Sequence, residues 1–197
     1  MNRNKILWQD YYKQTKNKPH HVRTQLAAEL NTSGVLTAID CGCGTGSDAH
    51  YLSQLGYQVN GFDINEDSVA LCKKRFSKDD SVVIAHSSFE QFQYGQCGVV
   101  IAHSSLYFSD PFHFPRTWRA INQSLQSGGV FSGDFLGIDD SWVLEGKHQT
   151  NPISRLQIED LFSDFDIIQF DERNELGKTA LGREKHWHTY SVVAVKN

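Results

Sequence analysis

Residues 35–56 read "VLTAIDCGCGTGSDAHYLSQLG". An apolar run stops at Asp40, and glycines follow at every second position, Gly42, Gly44 and Gly46, with Cys41 and Cys43 among them. A buried strand that turns sharply into a helix needs this pattern. Glycine adopts left-handed backbone freely and lets a ligand approach the main chain. The helix opening near Ser47 would offer its positive end to a pyrophosphate or a carboxylate. The stretch therefore admits three readings: a nucleotide-binding turn, a metal site or a tight loop. Zinc sites space their cysteines by two to four residues and add a second ligand pair. Here one residue separates Cys41 from Cys43 and no second pair follows, so small buried cysteines are expected and no metal. The dinucleotide fingerprint is G-x-G-x-x-G. This chain has G-x-G-x-G, with an acid two residues ahead of the first glycine.

Outward from that turn, strands and helices alternate. Apolar runs at 35–40, 57–64, 81–87, 97–104 and 130–137 predict strands. Helical spacing predicts helices at 47–55, 66–76, 114–129 (stopped by Gly128 and Gly129) and 154–165. One or two leading helices are expected over 8–30, broken near Pro19. Two strands, 166–172 and 188–196, follow each other without a helix and should pair antiparallel at a sheet edge. The expected fold is α/β, a Rossmann-like three-layer sandwich. Its sheet is mostly parallel, with helices on both faces. Ligands in such sheets sit beyond the carboxyl ends of the strands. That directs attention to 40–46, Asp63, 87–89, 103–105 and 134–137. Asp63 ends the second strand, one strand–helix–strand unit past the glycines. A carboxylate there can accept from both hydroxyls of a ribose, in NAD or in another adenosine cofactor.

Composition narrows the classes. The chain has 197 residues, 39% hydrophobic and 21% charged, with a net charge of −4. That balance argues against a broad electrostatic hold on nucleic acid. No window approaches a membrane span, and "MNRNKILWQDYYKQTKN" has no apolar signal core. The four cysteines, Cys41, Cys43, Cys72 and Cys97, lack a disulfide framework, so a cytoplasmic protein with reduced thiols is expected.

The stretch "AIDCGCGTGSDAHYLSQLGYQVNGFDINEDSVALCKKRF" resembles the first half of the class I S-adenosylmethionine-dependent methyltransferases. "HSSFEQFQYGQCGVVIAHSSLYF" resembles their third and fourth strand segments, and "WRAINQSLQSGGVFSGDF" their next helix, glycine turn and fifth strand. The small size, the leading "WQDYY" and the closing "HWHTYSVVAVK" look most like the tellurite-resistance and thiopurine methyltransferase branches. The resemblance implies a seven-stranded sheet with an antiparallel last strand. It also implies S-adenosylmethionine as cofactor, with S-adenosylhomocysteine as product. The glycine loop would wrap the methionine moiety, and Asp63 would hold the ribose. Cofactor contacts fall by this resemblance on Tyr11, Asp40, Cys41, Gly42, Gly44, Asp63, Ile64, Ser88, Phe89, His103 and Ser104. Asp40 has a second reading, as an acceptor that orders the loop backbone. The chain would form a single domain, with a helical lid at 1–34, a cofactor half at 35–137, and a substrate loop with the terminal strands at 138–197.

The chain also departs from the family. Ser87 and Ser88 stand where an acid near the adenine is common, and Gly98 stands where an acid often precedes the fourth strand. "HSSLYF" lacks the Asn-Pro-Pro-Tyr-like motif of N6-amine methyltransferases, which counts against DNA amino groups. The expected acceptor is a small molecule: a thiol, a metalloid oxyanion or similar. His103, just past the fourth strand, is the candidate general base, with a structural histidine as its alternative. His186 and His188 would share a strand face, turned to solvent or substrate. Tyr11 or Tyr12 would close the methionine end or pack the helix. Tyr107, Phe108, Phe112, Phe114 and Trp142 would line an acceptor pocket or belong to the core. Two rival functions remain, an NAD-dependent oxidoreductase and a non-catalytic cofactor-binding module. The sequence says nothing of oligomeric state.

Overall fold

The strands are β1 (Thr37–Cys41), β2 (Gln58–Asp63), β3 (Val82–His86), β4 (Cys97–Ala102), β5 (Leu125–Leu136), β6 (Phe165–Lys178) and β7 (Glu184–Lys196). The helices are α1, described over 10–15, then α2 (Val22–Leu30), α3 (Ser47–Gln54), α4 (Glu66–Arg75), α5 (Phe114–Ser124), α6 (Ser141–Glu145) and α7 (Arg155–Leu161). This computed structural model describes residues 10–146 and 149–197; Trp8 and Gln9 of the leading motif lie outside them.

The seven strands form one sheet in the order β3-β2-β1-β4-β5-β7-β6. All pairings from β3 to β5 are parallel, and β7 runs antiparallel to both its neighbours. Strand alternation sorts the core into two layers. Ile39, Val100 and Phe131 point to the side carrying Trp118 of α5 and Phe162 beyond α7. Their neighbours Ala38, Val99, Ile101 and Val130 point to the side carrying Ala27, Ala49, Leu52 and Val69 of α2, α3 and α4. The chain runs outward from β1 through β2 to β3, then crosses back to β4 on the other side of β1. This opens the crevice beyond the carboxyl ends of β1 and β4 where ligands bind in such folds.

Local chemistry fixes the helix that follows β2. The side chain of Asn65 caps α4 by accepting from the amides of Asp67 and Ser68. Acids fill its first turn and Lys73, Lys74 and Arg75 its last, as the helix dipole favours.

Several expected boundaries move. The helix predicted to run to Gly128 and Gly129 ends at Ser124, and β5 starts at Leu125. The two glycines lie inside the strand, where backbones crowd. A Cβ on Gly129 would come within 2.9 Å of the Gly98 carbonyl oxygen, and Gly128 has φ +77. The crowding also explains Gly98 itself, since a Cβ there would lie 2.2 Å from the Val35 carbonyl oxygen. An acid at that position has no room. The predicted helix over 154–165 covers only Arg155–Leu161, closed at its start by a Ser154–Gln157 capping box. The terminal hairpin is much longer than expected. It pairs from Phe165 with Lys196 as far as Lys178 with Glu184, with a bulge between Ile167 and Gln169. No helix among the described residues is long and apolar enough to cross a membrane.

Candidate active site

At the end of β1 the chain passes through three left-handed glycines, Gly42, Gly44 and Gly46, with φ of +67, +54 and +74. Two of them are demanded by packing. A Cβ on Gly42 would lie 2.5 Å from Ser105 Cβ, and one on Gly46 would lie 2.7 Å from the Phe76 ring. Gly44 differs: its nearest neighbour would be the Gly42 carbonyl oxygen at 4.0 Å. The open face of the loop is therefore at Gly44.

Two carboxylates hold this loop. Asp63 accepts from the Gly44 amide (2.9 Å) and the Asn65 amide (2.8 Å). A carboxylate has about four acceptor sites, so capacity remains for a ligand's hydroxyls. Burial raises its pKa, and these two amides oppose the rise. Asp40 is buried and accepts from the Ala49 amide at 3.2 Å, pinning the first turn of α3 beneath the loop. Burial and then the charge of Asp48 push its pKa well up. Asp40 thus occupies the loop-ordering position that the sequence left open. Cys41 and Cys43 are buried thiols with raised pKa values, as small core residues should be.

The leading segment lies across this loop. Thr45 Oγ1 donates to the Thr15 carbonyl oxygen (3.4 Å) and Ser47 Oγ to that of Lys18 (2.8 Å). Tyr12 is buried, and its hydroxyl meets Ser68. Burial, then the charge of Asp63, raises the pKa of both Tyr11 and Tyr12. Asp48 receives the His21 amide and the Thr24 hydroxyl. Burial alone would raise the Asp48 pKa, but His103 and Thr24 outweigh it and hold it low.

At the ends of β4 and β5 a second polar cluster forms. His103 Nε2 meets Ser132 Oγ at 2.8 Å, and its Nδ1 faces Thr24 Oγ1 at 3.4 Å and Asp48 at 3.9 Å. Both ring nitrogens are engaged inside the protein, in a buried setting under α2. Ser104 follows with φ +51, the only non-glycine residue with positive φ among the described residues. Its amide donates to Asp134 at 2.8 Å. The Arg23 guanidinium meets the same carboxylate at 2.6 Å, both side chains being 8% exposed. Burial would raise the Asp134 pKa; the charge of Arg23, then His103, more than offsets this and lowers it.

The segment after β5 covers the far side. Asn151 donates its amide to the Tyr107 carbonyl oxygen at 2.8 Å. Asp140 is fully buried and takes the amides of Trp142 and His188 and the Lys185 ammonium. That ammonium lies 3.6 Å from the Trp142 ring centroid and 3.9 Å from that of Trp187. Residues 147 and 148 of this segment lie outside the described residues.

The fold brings Tyr11, Asp40, Cys41, Gly42, Gly44, Asp63, His103 and Ser104 to one end of the sheet. Ile64 is 71% exposed beside Asp63, and its carbonyl oxygen accepts from His86 Nε2. The Ser88 carbonyl starts the next turn by accepting from the Phe92 amide. Phe89 sends its ring into the core, against Phe62, so only its backbone faces the strand ends. Of the five rings proposed for a pocket, Phe114 is core and Phe112 is 85% exposed; Tyr107, Phe108 and Trp142 do cluster. Of the two readings for His186 and His188, facing solvent or facing substrate, the solvent-facing one fails for His188. It is 3% exposed, its ring lies where a Cβ on Gly137 would be, and it meets Tyr190 and Glu172. Sequence reasoning missed Arg23, Asp140 and Lys185, since isolated charges in polar stretches carry no pattern. A cavity of about 290 Å³ lies elsewhere, between α5 and the loop after β3; of the predicted residues it touches only Phe89.

A sheet in this order, with a glycine turn after β1 and an acid ending β2, defines a Rossmann-like, methyltransferase-type fold. Residues 39–132, somewhat less than half of the chain, match the family model described as a methyltransferase domain. The structure is similar to that of TehB from Haemophilus influenzae, with a TM-score of 0.77 at 20% identity, over 95% of this chain and 66% of that one. The chain thus spans just under two thirds of that protein's length. Magnesium protoporphyrin IX methyltransferase (ChlM) from Synechocystis PCC 6803, with bound SAH, is similar at a TM-score of 0.65 and 15% identity, over 100% of this chain and 89% of that one. The N-methyltransferase NodS from Bradyrhizobium japonicum WM9, in complex with SAH, gives 0.64 and 14%, over 89% and 86%. No curated protein sequence matches the chain.

Proposed function

We propose that this chain is an S-adenosylmethionine-dependent methyltransferase for a small-molecule acceptor. One observation carries the reading: Gly44 is open where its flanking glycines are packed, and its amide is held by the acid that ends β2. A loop shaped only for tight turning would not leave that face clear. Gly42, Gly44 and the neighbouring Cys41 backbone would hold the methionine moiety, with Asp40 ordering the loop from below. Asp63 would take the ribose hydroxyls, and exposed Ile64 would cover one face of the adenine, with Ser88 and the Phe89 backbone at its edge. Tyr11, His103 and Ser104 would line the methyl-bearing side. The solved structures bearing SAH support the same cofactor here.

Bound there, S-adenosylmethionine would supply an electrophilic methyl group, so the protein's task is alignment and exclusion of water. The leading segment, within 1–34, would serve as the lid, residues 35–137 as the cofactor half, and 138–197 as the acceptor side. A cytoplasmic setting fits buried, reduced thiols. The similarity to TehB favours a thiol or a metalloid oxyanion as acceptor, in the tellurite-resistance branch. Such soft nucleophiles need no strong base, which suits a His103 whose two nitrogens are already engaged.

The test is S-adenosylhomocysteine formation from S-adenosylmethionine with a panel of thiols, selenite, tellurite and small amines. Turnover with at least one soft acceptor is expected. Tight S-adenosylhomocysteine binding without turnover of any acceptor would favour a non-catalytic cofactor-binding module instead.

A further inference from the structure

We propose that Arg23 is a positioning residue: its ion pair with Asp134 latches the leading segment onto the turn after β4, so that lid and turn order together. Its role in catalysis rests on the methyltransferase reading; the latch itself does not.

Polar bonds hold the first turn of α2, and apolar contacts hold its remainder. Its buried residues are Arg23, Thr24 and Ala27, with Leu26, Ala28 and Leu30 half-buried against the core, while Val22 is 70% exposed. Of the three buried residues, Arg23 and Thr24 are polar. The first turn of the helix is therefore attached by a few specific bonds rather than by apolar area, the kind of attachment that opens locally at low cost. Thr24 and the His21 amide bind Asp48 on α3. Arg23 reaches the other way, to the end of β5, where it bonds Asp134 and the Gly133 carbonyl oxygen (3.3 Å).

Asp134 passes the constraint on. One oxygen takes Arg23 and the Ser191 hydroxyl (2.7 Å); the other takes the Ser104 amide (2.8 Å). Ser104 is held in left-handed backbone, which a residue with a Cβ keeps only when its surroundings impose it. Ser104 also meets Tyr107, the buried ring beneath the 138–151 segment. Of Asp134's partners here, only Arg23 brings a full charge. A hydroxyl and an amide cannot offset a buried carboxylate alone. Removing the guanidinium therefore loosens the first turn of α2 and weakens the grip on Ser104 in one step.

The test compares wild type, Arg23→Met and Arg23→Lys in the full chain. Tryptic cleavage after exposed Lys13 and Lys16 is followed by mass spectrometry, and S-adenosylhomocysteine binding by calorimetry. R23M should be cleaved about tenfold faster and bind S-adenosylhomocysteine at least about tenfold more weakly. R23K should lie between, because it keeps the charge but loses the two separate guanidinium nitrogens that reach Asp134 and Gly133. Phe162→Leu, in the opposite layer, is the control for a general loss of stability. At a matched Tm it should not release Lys13 and Lys16 or weaken binding. Wild-type cleavage and binding in folded R23M would overturn the proposal, as would equal release in F162L. If R23M does not fold, R23K decides: intermediate release supports the latch, and wild-type behaviour in both assays overturns it. A wild-type protein that does not bind S-adenosylhomocysteine would defeat the methyltransferase reading. The cleavage rates would still test the latch.

Discussion

Replacing Gly44 with alanine separates ligand binding from folding, and Gly42→Ala is its contrast. Both positions have left-handed backbone, φ +54 and +67, which costs a residue with a Cβ about 1–2 kcal/mol. At Gly44 nothing is added to that cost, because the nearest neighbour of the new methyl is an oxygen at 4.0 Å. A loss of about 1–2 kcal/mol lowers Tm by roughly 2–8 °C in a domain of this size. At Gly42 the new Cβ would lie 2.5 Å from Ser105 Cβ. Ser105 cannot step aside freely, since its hydroxyl donates to the Cys41 carbonyl oxygen at 2.6 Å. Overpacking adds about 1–3 kcal/mol, for a total of about 2–5 kcal/mol. Binding should follow another order. G44A, the milder variant for folding, should lose at least about tenfold in S-adenosylhomocysteine affinity, because its methyl fills the open face. Thermal unfolding and titration calorimetry on both variants read the two effects. Wild-type affinity in G44A would refute the assignment of that face to a ligand. Equal destabilisation by the two substitutions would refute the packing argument.

Further outcomes follow from the surrounding residues. His21 caps α2 by accepting from the Arg23 amide at 3.1 Å, which requires an unprotonated Nδ1. Burial, then His103 and Arg23, lowers its pKa from 6.5 to about 4. A depressed folded-state pKa contributes stability that is full above about pH 6.5 and lost as pH falls through 4. The side chain remains partly open to solvent, which screens the effect, so about 1 kcal/mol or less is at stake. Urea unfolding should show wild type losing this increment between pH 6.5 and 4, and His21→Asn, a non-titrating cap, keeping it. Lys185→Met should strand the buried Asp140 carboxylate at a cost of about 3–5 kcal/mol. Its local sign is a red-shifted, more quenchable tryptophan emission; unchanged emission would show that the ammonium does not hold Trp142. Gly98→Asp should abolish soluble folded protein, since the Cβ alone would lie 2.2 Å from the Val35 carbonyl oxygen. A folded G98D with near wild-type Tm would contradict the crowding.

The parts of the fold legible in the sequence are those where one face is buried. The apolar runs ending at Asp40 and Asp63 placed β1 and β2 within a residue or two, and the single glycine turn tied them to a site. The terminal hairpin was under-read because residues 171–176, "DERNEL", are exposed on both faces, so no apolar alternation marks them. The end of α5 was misplaced because Gly128 and Gly129 answer to close backbone approach across strands, which local sequence does not encode. The candidate site was legible where glycines and strand-terminal acids act through the backbone. It was not legible where long side chains cross between elements. Arg23 and Asp134 lie 111 positions apart; Asp134 falls at a predicted strand end, but Arg23 looks like an ordinary solvated charge and nothing in the sequence pairs the two. The left-handed Ser104 between them has no sequence signal.

Titration calorimetry of the full chain with S-adenosylhomocysteine and with NAD tests the central claim most directly. The account predicts saturable S-adenosylhomocysteine binding, of the order of micromolar Kd, lost in G44A, and no NAD binding. Absence of S-adenosylhomocysteine binding by the folded protein, or tighter binding of NAD, would contradict it.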